Sequence, residues 1–307
     1  MNIGGLISAL LPVFAALGGM LFPALIHFLF NKGTPAQTGF GIPMATDIAF
    51  ALGVLAMAGK RVPFPLKIFL TAFAIIDDLG AILIIAVFYT GELSWSNLLL
   101  ALGIFLLLFV MGRFKVYQPA FYLIPGIAMW YFMLQSGVHA TVSGVLLAFA
   151  IPFGKGEDNN LSGRLQHFLH KPVAFIIIPL FALANTCILL EKNVLAQLTD
   201  NNSLGIILGL FVGKPLGIFL LSWVAIKTKW GQLPAGVTFG QLLAAGMLGG
   251  IGFTMSLFIT FLAFQDDEII TVSKIAILLA SLLSAICGLA FLYLIKPGKT
   301  GIEPETN

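Results

Sequence analysis

Four ionisable residues, Asp47, Asp77, Asp78 and Lys214, sit in stretches that are otherwise almost wholly apolar. Asp77 and Asp78 lie about twelve residues from either end of the apolar run 65–89, which at roughly 1.5 Å per residue puts them about 18 Å from both ends. A charge at the centre of a bilayer costs at least about 2.5–3.5 kcal/mol, so a group at that depth marks a function by default. Carboxylates are hard oxygen ligands and suit hard cations such as Na+ or Li+. A carboxylate withdrawn from water beside a second one also holds a proton near neutral pH. A pair that accepts either a small cation or protons, but not both at once, exchanges one for the other by competition.

A structural reading stands beside this one, in which Lys214 pairs with one aspartate and fixes helix packing. One lysine cannot neutralise three aspartates. Neighbouring helical residues point about 100° apart, so if Asp77 faces Lys214, Asp78 faces elsewhere, into a water-filled funnel. Asp47 closes the string GFGIPMATD at 39–47. Where two helices break near the membrane midplane, their ends carry about half a charge each; Asp47 then offsets a positive pair of ends and Lys214 a negative pair.

The elements that must carry these residues are membrane spans. Of the 307 residues 59% are hydrophobic and 9% charged, and the mean hydropathy is +1.03; a soluble domain of this length needs more polar surface. Apolar runs bounded by Gly, Pro or charge predict ten spans, at 6–30, 43–58, 65–89, 95–113, 119–136, 138–153, 172–190, 203–226, 237–263 and 268–295. Alternating the connections puts twelve basic residues, Arg61, Arg113, Arg164 and Lys227 among them, on one side, against Lys32, Lys192 and Lys274 on the other. The positive-inside rule makes the richer side cytoplasmic, with both termini there. Basic residues scattered singly form no nucleic-acid patch. Cys187 and Cys287 lie in apolar runs without metal-ligand or redox spacing and read as packing residues. His27, at the end of the first span, reads as a solvated histidine. No cofactor is expected.

The fold predicted is an all-α polytopic membrane protein, one transporter domain over 1–298 with a disordered cytoplasmic tail at 299–307. The first three spans (about 6–89) and the last three (about 203–295) run in opposite orientations. The second span of each trio is interrupted, by 39–47 at its opening and by GMLGGIGFTM at 246–255 inside it. Paired interruptions of this kind predict an inverted-topology repeat whose broken helices build a midplane ion site; the simpler reading is that these glycines serve close packing.

Five strings resemble the NhaA-type bacterial sodium/proton antiporters: ATDIAFALGVLA at 45–56, AIIDDLGAI at 74–82, SGVHAT at 136–141, GKPLGI at 213–218 and GGIGFTMSLFI at 249–259. They follow the family's order and cover nearly the whole chain. The resemblance implies an electrogenic antiporter of the bacterial inner membrane that exports Na+ or Li+ against incoming H+, in pH and sodium homeostasis. It implies that Asp77 and Asp78 form the cation and proton site, that Lys214 pairs with Asp77, and that Thr46 and Asp47 sit where the broken helices cross. It also implies that His139, with Arg164, His167 and His170 in a cytoplasmic loop, belongs to the region that sets pH response. Gln166 stands where the family has an acid. The family has two further helices ahead of the one matching span 6–30, and the hairpin between them helps hold a homodimer, so that contact is expected to be weakened here.

Two rivals are an intramembrane aspartyl protease and a sodium-coupled carrier of an organic solute. The Gly-x-Gly-Asp and Tyr-Asp strings of the first do not occur. The second needs polar and aromatic side chains around a larger central space. A non-transporting fragment is the remaining alternative.

Overall fold

The computed structural model describes residues 3–153, 160–186 and 197–295, and among the described residues every regular element is helical. In chain order these are α1 (Ile3–Phe30), a 3-10 segment (Pro35–Met44), α2 (Ile48–Met57), α3 (Phe64–Phe88), α4 (Trp95–Arg113), α5 (Ala120–Gln135) and α6 (Thr141–Ala150). There follow α7 (Leu161–Thr186) and α8 (Asn201–Lys227), each passing through one π turn, then α9 (Phe239–Gly249), α10 (Phe253–Ala263) and α11 (Asp267–Leu294). Local chemistry sets several starts. Thr238 and Gln241 form a reciprocal capping box on α9, and the Asp266 carboxylate accepts from the amides of Glu268 and Ile269 at the head of α11.

Each of the ten expected spans overlaps helix among the described residues, and up to eight of them are long and apolar enough to cross a membrane. Six helices, α1, α3, α4, α7, α8 and α11, are long and apolar enough to cross a membrane. The 3-10 segment with α2, and α9 with α10, form two further pairs, each bent by 45° at a short break. Helices α5 and α6 are shorter, with 16 and 10 residues.

Three expectations need correction. The first interruption is not an opening loop at 39–47: residues 35–44 are helical, and the break is confined to 45–47. Arg164, His167 and His170 do not lie in a loop, because helix runs unbroken from Leu161 into the span expected at 172–190. His27 is fully buried. Its Nε2 bonds Asn202 Oδ1 at 3.1 Å, so α8 supplies the polar partner that water was expected to give, and Asn202 is itself held by donating Nδ2 to Ser273 Oγ of α11 at 2.8 Å. Cys187, Lys192 and the tail at 299–307 lie outside the described residues.

The chain divides into two compact units, residues 1–81 with 185–307, and residues 82–184. In the first, α1 and α8 touch backbone to backbone: a Cβ on Gly18 would sit 2.0 Å from the Gly217 carbonyl oxygen, the small-residue contact by which membrane helices pack closely. The π turn of α8, Gly209–Gly213, leads directly into Lys214 and Pro215. Pro215 has no N–H to give the preceding turn and its ring crowds a carbonyl there, which a π turn relieves. In the second unit, Leu108, Tyr122, Ala150 and Leu161 form one buried cluster, and Ala101, Met129 and Met133 another.

Candidate functional site

The two bent pairs cross in the first unit, antiparallel. The Thr38 hydroxyl donates to the Ala263 carbonyl, Ser256 to that of Ile42 at 2.7 Å, and Thr46 to that of Gly249 at 2.9 Å, so numbering rises along one pair as it falls along the other. Breaking a helix in an apolar medium leaves amides and carbonyls that need partners. At this crossing the side chains supply them. The Lys214 ammonium donates to the Met44 carbonyl and Thr46 to that of Gly249, which meets the negative ends of the 3-10 segment and of α9.

One carboxylate meets both positive ends. Asp47 Oδ1 accepts from the Phe50 amide at 3.1 Å in the first turn of α2. Its Oδ2 accepts from the Thr254 amide at 3.0 Å and from the Thr254 hydroxyl, both in the first turn of α10. The Asp47 amide donates to the Ile251 carbonyl at 2.6 Å, locking one break to the other.

Asp77 and Lys214 complete the centre. Asp77 Oδ2 accepts from Lys214 Nζ at 2.8 Å, and both side chains are 0% exposed. Asp78, next along α3, is half-buried, and its Oδ1 is buried without a hydrogen-bond partner, as is Oδ1 of Asp77. Asp47, Asp77, Asp78, Lys214 and Thr46 are thus brought together, with two carboxylate oxygens free of protein donors. Among the described residues no group of three or more His, Cys, Asp or Glu forms a resident metal cage. Oxygens of two adjacent carboxylates, beside carbonyls and hydroxyls, suit a transported monovalent cation.

The residues that the resemblance assigns to pH response, His139, Arg164, His167 and His170, are in the other unit. His139 is half-buried at the head of α6, its Nδ1 2.9 Å from the Thr141 hydroxyl. Arg164, His167 and His170 are exposed on the first turns of α7 and line an open groove of about 1150 Å³ with Pro119, Leu123 and Phe168. Thr254, Ser256 and the carbonyls of Met44 and Gly249 belong to the crossing but are absent from the sequence-based set. Thr254 and Ser256 stand inside the string GGIGFTMSLFI, where hydroxyls just past a glycine break are a usable signal; the carbonyls carry none.

The chain as a whole has relatives among known proteins. Residues 3–292 match the family described as Na+/H+ antiporter 1. The chain belongs to that family. Flavobacterium johnsoniae has a Na(+)/H(+) antiporter NhaA 1 that is 57% identical over 293 residues, covering 95% of this chain and 77% of its own length. The Na(+)/H(+) antiporter NhaA of Flavobacterium psychrophilum is 59% identical over 281 residues, 92% of this chain and 73% of that protein. That of Cytophaga hutchinsonii is 56% identical over 285 residues, 93% and 74% respectively. Membership in the Na+/H+ antiporter 1 family, with the apolar helices, makes the chain a multi-pass bacterial membrane transporter and not an enzyme, which removes the protease reading.

Proposed function

We propose that this chain exchanges Na+ or Li+ for protons at Asp77 and Asp78. One observation carries the reading: of two adjacent mid-helix carboxylates, Asp77 is held by Lys214, while Asp78 is left with a buried oxygen that no protein group bonds. A buried polar atom of this kind calls for a partner, and a cation or a proton supplies one in turn. The cation arrives from the cytoplasmic side and displaces protons from the pair; Thr46, Asp47 and Lys214 hold the helix ends around it. The halves 6–89 and 203–295 then rock about the crossing, the cation leaves outside and protons return. The antiparallel crossing of the broken pairs supports this division, and the bias of basic residues supports cytoplasmic termini. With both carboxylates cycling protons against one monovalent cation, net charge moves inward, and the membrane potential drives export by about 2.3 kcal/mol per charge per 100 mV.

The test is dissipation of a respiration-driven proton gradient by added Na+ or Li+ in everted membrane vesicles. Wild type dissipates the gradient and Asp78→Asn does not. Equal responses from the two would remove Asp78 from the site, and no response from wild type would remove the exchange itself.

A further inference from the structure

Helix α10 begins without a cap of its own, because Gly252 stands at its N-cap and has no side chain. Its first amides find acceptors on other elements. The Thr254 amide has Asp47 Oδ2, and the Phe253 amide donates to Ser281 Oγ on α11 at 3.2 Å. Ser281 is buried. Asp47 already serves the head of α2 through its other oxygen. One carboxylate therefore stands against two helix ends of about half a positive charge each, and the Ser281 hydroxyl adds a second side-chain acceptor at the head of α10.

We propose that Ser281 is a positioning residue of the exchange site, sharing with Asp47 the neutralisation of the positive end of α10. The inference rests on the exchange reading above. Without the Ser281 oxygen, the Phe253 amide is left bare or competes for Asp47, and either outcome leaves the crossing more positive. Lys214 bonds both the Met44 carbonyl, three residues from Asp47, and Asp77, the neighbour of Asp78, so a more positive crossing weakens cation binding at that pair. The effect falls on affinity. Turnover at saturating cation depends on the rocking of the halves, which the hydroxyl does not touch.

The experiment is Na+-driven exchange in everted vesicles, with KM and maximal rate read separately and corrected for protein in the membrane. Ser281→Ala raises KM roughly two- to fivefold, the range of a helix-end charge interaction, and leaves the maximal rate in place. Ser281→Thr, which keeps the oxygen, restores wild-type KM, whereas its isostere Ser281→Val behaves like the alanine variant. The Thr and Val pair decides the matter even if Ser281→Ala fails to reach the membrane. Ser284→Ala is the control: that hydroxyl is buried on the same helix and makes no hydrogen bond, and its loss leaves KM unchanged. Wild-type exchange with equal KM for the Thr and Val variants, or a fall in maximal rate with no change in KM, overturns the role of Ser281 alone. Absence of exchange by wild type overturns the function and this inference with it.

Discussion

Lys214 Nζ lies 2.8 Å from Asp77 Oδ2 with neither side chain open to solvent. Removing one member of such a pair strands the other as a buried charge, which costs about 3–5 kcal/mol. Lys214→Met therefore lowers the thermal midpoint of the detergent-purified protein by many degrees. Adding Asp77→Asn to that variant recovers part of the loss, because the stranded charge is removed. A double variant no more stable than Lys214→Met contradicts the pairing.

Asp47 caps two helices at once, through Phe50 and Thr254. Asp47→Ala leaves both heads without that acceptor, at roughly 1 kcal/mol each. Asp47→Asn keeps one side-chain acceptor oxygen and lies between alanine and wild type. Thermal unfolding of the three proteins side by side measures the order.

The contact between α1 and α8 makes a sterically defined prediction. Gly18→Ala drives a methyl group to 2.0 Å from the Gly217 carbonyl oxygen and destabilises by about 1–3 kcal/mol. Gly53→Ala in α2 meets open space and is neutral or slightly stabilising, since alanine is the better helix former. The two thermal midpoints should move apart.

Much of this site was legible from residue type and depth. A charge in the middle of an apolar run has few cheap explanations, which is why Asp77, Asp78 and Lys214 stand out before any coordinates. The glycine and proline strings likewise mark both breaks. Their extent was less legible: the string 39–47 marks the interruption, yet residues 35–44 are helical and only 45–47 break, with Ser256 and Lys214, more than 160 residues away, meeting the carbonyls of Ile42 and Met44. His27 fails for the same reason, since its partner Asn202 lies on a helix that local pattern does not connect to it. The start of α7 was misread differently. Its charges suggested a loop, although Leu161 and Leu165 fall one turn apart and pack into the cluster of Leu108 and Tyr122.

The claim that a cation and protons contend for one pair of carboxylates is tested most directly by proton release on binding. Purified protein in weakly buffered detergent solution is titrated with NaCl, using choline chloride as the ionic-strength control, while pH is followed. Wild type should release protons as Na+ binds, and Asp78→Asn should release none. Na+ binding without proton release, or equal release from both proteins, would contradict the account.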